Sequence, residues 1–243
     1  MKCPNNLLLH DGHLLAQGYD VLIGADEAGR GPLAGPVVAG AVCINKTFYN
    51  LHVSDETILL FQDSKVLSEN QREQAYNILI QWAQEGHLWF AQGEASVDEI
   101  DTNNILCATT SAFRRALEHL KKDLPSAEAL FQTQSQSQTC LIIDGCPLKK
   151  LPYLHTSIVK GDRTSFCIAA ASIVAKVYRD HIMNVLAQKH PQYHFENHKG
   201  YGTAEHIALL KQYGACAIHR KTFLKKILKK QPRISSSDQL ALL

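Results

Sequence analysis

Asp26 and Glu27 stand side by side at the end of an apolar run that begins at Tyr19, and the turn Gly29-Arg30-Gly31 follows them closely. Adjacent carboxylates at a strand end cost stability unless a cation shares the site, and glycine-flanked backbone amides beside an arginine suit a phosphate-bearing ligand. Two further acids hold equivalent places: Asp144 closes CLIID before Gly145, and Asp162 follows YLHTSIVKG. Ligands of open α/β sheets collect beyond strand ends, so Asp26, Glu27, Asp144 and Asp162 are expected to converge. Four carboxylates brought close would raise one another's pKa values unless cations were bound. An oxygen-only donor set suits Mg²⁺ or Mn²⁺, whereas zinc prefers His or Cys. Two such ions roughly 4 Å apart can activate a water and stabilise the leaving oxygen of a phosphodiester. Taken singly, Asp162 could cap a following helix and Asp144 could open an Asp-Gly turn. Four acids at three strand ends favour the metal reading and a nucleic-acid or nucleotide enzyme.

The elements that must position these acids follow from periodicity. Apolar runs at about 20–26, 36–44, 87–93, 140–144 and 153–159 predict five strands, the first two as a hairpin. A helix is expected from Ser68, where Ser68 and Gln71 have capping-box spacing, burying Ala75, Leu79 and Trp82 until Gly86 stops it. A second begins near Ser96 and Glu99, with the same spacing, and continues through Ile105, Ala112 and Ala116 towards Leu120. A third spans about Thr164 to Gln188, and a fourth runs from Thr203 to Tyr213 before Gly214. A fifth, Phe223 to Lys230, carries Phe223, Leu224, Ile227 and Leu228 on one side and lysines on the other; it should pack on the domain and offer charge to a duplex backbone. The expected class is α/β, a five-stranded mixed sheet flanked by helices with a C-terminal helical extension. Residues 1–18 read as an N-terminal extension, 19–230 as one domain, and 231–243 as a flexible tail; QTQSQSQT, 132–139, reads as an exposed loop.

Composition narrows the class. The 243 residues suffice for one large domain, and 45% hydrophobic with 20% charged residues describes a soluble globular protein. No apolar stretch reaches the roughly 20 residues of a membrane span, and the N-terminus lacks the order of a secretory signal. Seven cysteines without a CxxC pair point to free thiols in a reducing cytoplasm. The net charge of +2 is uneven: residues 206–243 hold eight Lys or Arg (Lys211, Arg220, Lys221, Lys225, Lys226, Lys229, Lys230, Arg233) against Asp238 alone. Such a basic end could hold a polyanion while the acids gather in the body, or be a solvated helix face.

Two motifs point elsewhere and fail on context. Gly29-Arg30-Gly31-Pro32-Leu33-Ala34 fits GxGxxA after a strand, yet Pro32, Pro36 and VVAGAVCI predict a second strand where a dinucleotide site needs a helix. His190, His194 and His198 have a four-residue spacing that suits zinc on a helix, but Pro191 and Gly200 make them loop residues.

Six blocks in order, DEAGRGPLAGPVVAGAV, DSKVLSENQRE, IDGC, KGDRTSFCIAAASIVAKVYRD, HKGYGTAEH and HRKTF, resemble the motif series of bacterial ribonuclease HII over roughly residues 20–224. The resemblance implies a ribonuclease H-like fold and a metal-dependent endonuclease that cuts RNA in RNA–DNA hybrids. It also implies incision 5′ to a ribonucleotide embedded in duplex DNA, leaving 3′-hydroxyl and 5′-phosphate ends, in ribonucleotide excision and primer removal. Asp26, Glu27, Asp144 and Asp162 match the family's catalytic and metal-binding carboxylates. Gly29, Arg30 and Gly31 match the motif that reads the ribose 2′-hydroxyl, the group that separates RNA from DNA. Tyr201 matches the tyrosine that packs on the sugar beside the junction, and Lys65 and Ser165 match phosphate contacts. Cys146 and Val66 depart from the usual pattern without touching the acids. About 20 residues precede the first block, which leaves no room for the extra N-terminal domain of the sister family, ribonuclease HIII.

The last residues, Gln239-Leu240-Ala241-Leu242-Leu243, resemble the short peptides by which bacterial replication and repair proteins dock on the sliding clamp, so Gln239, Leu240, Leu242 and Leu243 are expected partner contacts. Nothing demands more than a monomer. The alternatives are a clamp-tethered protein that grips hybrid duplexes without cutting them, and a GxGxxA oxidoreductase.

Overall fold

Two glycines let the central layers touch. We describe a computed structural model covering residues 6–51, 54–61, 67–124 and 139–228. Lys65, most of QTQSQSQT, and the tail with Gln239, Leu240, Leu242 and Leu243 lie outside the described residues. The expected hairpin is formed by β1 (Val21–Ala28) and β2 (Val37–Asn45), paired antiparallel. With β3 (Leu88–Ala95), β4 (Thr139–Asp144) and β5 (Thr156–Ile158) they make a mixed sheet in the order β3-β2-β1-β4-β5, in which β4 lies parallel to β1 and β5 parallel to β4. The fifth strand is three residues long, shorter than the 153–159 run. Pro152 and the exposed Leu154 fall outside it.

Eight helices are described: α1 (Asn6–Ala16), α2 (Asp55–Leu59), α3 (Glu69–Gln84), α4 (Val97–Asp123), α5 (Phe166–Lys189), α6 (Phe195–His198), α7 (Ala204–Tyr213) and α8 (Lys221–Leu228). Both capping boxes form, Ser68 with Gln71 and Ser96 with Glu99. Alternation along the strands splits the core. Leu22, Val42, Ile44 and Ile142 face α1, α3 and α5, while Ile23, Ala25, Ala39, Ala41 and Ile143 face α4. Trp82 is half-buried rather than enclosed, stacked on Phe61 at 5.8 Å between ring centres.

Helix α5 is apolar nearly all round, the mark of a helix enclosed by its own domain. It lies so close to the sheet that a Cβ on Gly24 would come 2.3 Å from the Cys167 carbonyl carbon, and one on Gly40 would come 2.3 Å from the Ala171 oxygen. Only glycine fits at either place.

The N-terminal extension is an integral part of this layer. Leu7 and Leu15 of α1 enter the core, and the buried carboxylate of Asp11 accepts the Cys167 N–H, 2.9 Å, in the first turn of α5. An acid suits a helix start, where backbone N–H groups lack partners. Helix α4 is broken once, at Asn104 (φ 68°), whose side chain then caps the resumed helix through the N–H groups of Leu106 and Cys107.

Candidate active site

The register of β1 and β4 brings the first acids together. Ala25 pairs with Ile143, so Asp26 and Asp144 each lie one residue further on, on the α5 face of neighbouring parallel strands. Asp26 is buried and its Oδ1 accepts the N–H of Glu27 at 2.6 Å. Glu27 points from the opposite pleat and takes Arg30 Nη1 at 2.9 Å. Asp144 Oδ1 accepts the Gly161 N–H at 2.6 Å, which ties the end of β4 to the short turn Gly161–Arg163 that carries the buried Asp162.

A cavity of about 320 Å³ opens at this sheet end, lined by Asp26, Glu27, Gly29, Arg30, Gly31, Asp144 and Tyr201 among others. Seven of the ten expected site residues outside the tail therefore meet in one place. Asp162 sits beside it, next in sequence to the Gly161 that holds Asp144. Ser165 is fully buried and its Oγ accepts the Ile168 N–H, capping α5. Ser165 is thus the N-cap of α5, the place that Asp162 taken singly could have held. Arg220 departs from expectation, since a residue counted in the basic surface is fully buried.

The donor set around the cavity is carboxylate oxygen, with no His or Cys in the lining, and so fits hard divalent cations. Among the described residues no three His, Cys, Asp or Glu side chains close into a preformed cage. An open arrangement of that kind suits Mg²⁺-type ions, which keep waters and take substrate phosphates as ligands.

Sequence reasoning missed Ser172 and Lys176, which line the same cavity from successive turns of α5. Their signal was present: polar residues four apart on an otherwise apolar helix share one face. Burial lowers the Lys176 pKa, and Asp180, 2.6 Å away, works against that shift.

Tyr201 is half-exposed, and the Arg179 guanidinium lies 5.7 Å from its ring centre. Its backbone is held by a pair of histidines outside the His190, His194 and His198 spacing. His206 Nδ1 meets the Tyr201 carbonyl at 2.8 Å, His206 Nε2 meets His219 Nε2 at 3.0 Å, and the Cys216 N–H donates to His219 Nδ1 at 3.0 Å. His198 stacks on His206 with ring centres 4.4 Å apart. One tautomer satisfies the chain: His206 donates from Nδ1, His219 donates from Nε2, and both rings are neutral. Burial holds all three rings below the usual histidine range, His219 down to about 4.

The chain matches the model of the Ribonuclease HII family over residues 23–226. A ribonuclease HII of Acetivibrio thermocellus is 42% identical over 91% of this chain and 77% of its own length, and one of Fusobacterium nucleatum is 45% identical over 86% and 88%. Among solved structures, the ribonuclease HII of the Archaeoglobus fulgidus complex with PCNA superposes with a TM-score of 0.62 at 20% identity, covering 88% of this chain and 98% of that one. Bst-RNase HIII in complex with Mn²⁺ gives 0.60 at 16% identity, over 89% and 71%. These structures share the fold: a mixed five-stranded sheet flanked by helices, of ribonuclease H type. With the sequence relationship spanning nearly the whole domain, the chain belongs to the ribonuclease HII family and is an endonuclease of the ribonuclease H kind.

Proposed function

We propose that this enzyme cuts the RNA strand of RNA–DNA hybrids and, in duplex DNA, the phosphodiester 5′ to an embedded ribonucleotide, leaving 3′-hydroxyl and 5′-phosphate ends. The observation that carries this reading is the shared cavity, in which Asp26, Glu27 and Asp144 face the same space as Gly29, Arg30, Gly31 and Tyr201. Acids for the reacting phosphate and a backbone turn for the sugar are what a junction-reading nuclease needs side by side.

Asp26 and Asp144 hold divalent cations most directly, with Glu27 and Asp162 completing the set and orienting water. Mg²⁺ or Mn²⁺, when bound, supplies Lewis acidity to the attacking water and the departing oxygen; the Mn²⁺ in the structurally similar Bst-RNase HIII supports that choice. The turn at Gly29–Gly31 approaches the ribose without a Cβ in the way and can donate to its 2′-hydroxyl. Tyr201 offers a flat ring to the neighbouring deoxyribose, where an extra oxygen would crowd it. Lys65 remains a proposed phosphate contact from the DSK motif.

The test is a DNA duplex with one embedded ribonucleotide, incubated with Mg²⁺, Mn²⁺ or chelator, beside Asp144→Asn. Metal-dependent incision 5′ to the ribonucleotide, lost in the variant, is the expected result. Retained binding with no cutting under either metal would favour a non-catalytic hybrid binder instead.

The Archaeoglobus fulgidus relative was solved with PCNA, and residues 239–243 of this chain combine a polar anchor with three leucines. We therefore propose clamp recruitment through Gln239, Leu240, Leu242 and Leu243. A reducing cytoplasm is the proposed setting, in keeping with the free thiols of Cys43, Cys107, Cys140, Cys146, Cys167 and Cys216. No helix among the described residues is long and apolar enough to cross a membrane.

A further inference from the structure

Arg220 is fully buried, and every hydrogen bond of its guanidinium goes to a backbone carbonyl. Nη2 reaches Gly29 O at 2.6 Å, Gly35 O at 2.8 Å and Pro36 O at 3.1 Å. Nη1 reaches Arg30 O at 3.0 Å, and Nε reaches Gly35 O at 2.9 Å. One side chain from the far end of the domain thus grips both ends of the loop that follows β1. The backbone around it is stitched to the same loop: the Arg220 N–H donates to Leu33 O, the Gly35 N–H donates to Ile218 O, and Ala34 bridges His219.

Burying a cation without a carboxylate is costly, so core packing alone does not account for it. Arg179, equally buried, lies against the same loop and also donates to Pro36 O, at 3.1 Å. Burial and the neighbouring Arg179 charge pull the Arg220 pKa down to about 9, which leaves it charged at neutral pH. The consequence of the grip is directional. Across a planar trans peptide the C=O and the following N–H point in opposite directions. Drawing the Gly29 and Arg30 carbonyls inward turns the N–H groups of Arg30 and Gly31 outward, where both residues line the active-site cavity. Among the described residues no protein acceptor takes either N–H. Gly29 is held at φ +95°, and a Cβ there would fall 2.1 Å from Arg179 Nε, so the loop cannot relax by rotating into that space.

We propose that Arg220 is a positioning residue for substrate recognition: its carbonyl grip aims the N–H groups of Arg30 and Gly31 at the 2′-oxygen of the ribonucleotide. The inference rests on the proposed junction-reading activity and adds the device that shapes the reader. A lysine would keep the charge and lose the planar fork, so charge and geometry are separable.

The test compares wild type with Arg220→Lys and Arg220→Gln, each first checked for folding by thermal melting. With chelator present to prevent cutting, affinity is measured for a DNA duplex with one ribonucleotide and for the same duplex as DNA alone. A folded variant is expected to hold the all-DNA duplex as wild type does, while its preference for the ribonucleotide duplex falls towards one. Incision in Mg²⁺ is expected to drop about 100-fold in kcat, the usual effect of a misplacement near 1 Å. A residue that only stabilised the fold would weaken both affinities together, and an unchanged preference in a folded variant overturns the proposal. Should neither variant fold, the wild type decides by amide exchange at Arg30 and Gly31. Exchange slows more with the ribonucleotide duplex than with DNA if the two groups read the 2′-oxygen, and equal exchange overturns it. A wild type that cuts but shows no ribonucleotide preference overturns this inference alone, whereas one that does not cut overturns the activity beneath it.

Discussion

Lowering the pH should loosen the backbone under Tyr201 through the His206–His219 pair. The two Nε2 atoms are 3.0 Å apart, and each outer nitrogen is already committed, to the Tyr201 carbonyl on one side and the Cys216 N–H on the other. A proton added to either ring sets N–H against N–H somewhere along that chain. The sign follows from the depressed pKa. Above pH 6.5 His219 is neutral folded and unfolded, and it contributes no pH dependence. Between 6.5 and about 4 the unfolded chain binds a proton that the fold refuses, so stability falls as pH falls, and the loss stops growing below about 4. Integrating that window from pH 7 to pH 5 gives a loss of about 2 kcal/mol from His219, at about 1.4 kcal/mol per pKa unit. Urea unfolding at the two pH values measures it, with His219→Gln as the reference. The variant starts less stable but should lose about 2 kcal/mol less on acidification. Equal losses in the two proteins would refute the assignment of a neutral, acid-sensitive pair.

Three other expectations can be checked with simple variants. Gly40→Ala places a Cβ 2.3 Å from Ala171 O and 2.9 Å from Ala175 N, both backbone atoms, so α5 must move; the cost should be about 1–3 kcal/mol in urea unfolding, and an unchanged midpoint would mean the layers are looser than described. Lys176→Met keeps the buried stem and removes the charge from the cavity wall. Loss of that cation should lower kcat/KM roughly 10- to 100-fold, and wild-type kinetics would exclude a substrate role. Removing residues 239–243 should abolish capture by immobilised sliding clamp while leaving incision of a short duplex intact; capture by the shortened chain would end the clamp proposal.

The acids were legible because their signal is local. Each sits where an apolar run meets glycine or a turn, and strand periodicity carries Asp26 and Asp144 to one sheet end without knowledge of long-range packing. Helix starts were equally plain, since Ser68 with Gln71 and Ser96 with Glu99 satisfy their own N–H groups within four residues. What could not be read is what depends on contacts far apart in sequence. Asp11 looks like a surface acid in a polar segment until α1 folds against the start of α5, 156 residues away. Arg220 looks like one more lysine-rich tail charge, because its partners lie 184 to 191 residues earlier and are carbonyls, which carry no side-chain signature. Ser165 carries a local signal that the family motif did not use: its place three residues before the Ile168 N–H matches an N-cap.

Helix α5 explains why these separate pieces act as one site. Asp162 precedes it, Ser165 caps it, Ser172 and Lys176 line the cavity, and Arg179 braces both the loop after β1 and the turn before Tyr201 through Pro36 O, Ala34 O and Lys199 O. From Phe166 to Arg179 the helix rises about 20 Å, roughly the length of six base pairs of duplex at 3.4 Å each. Its distance from the sheet is set by direct backbone contact over Gly24 and Gly40, with no side chain between to absorb a shift. A displacement at that contact is therefore passed, undamped, to the cavity wall and to the brace under Tyr201 together. Activity should accordingly fall more steeply than stability in Gly40→Ala, because a fraction of an ångström that packing can tolerate displaces the acids and the groups proposed to read the sugar in the same movement.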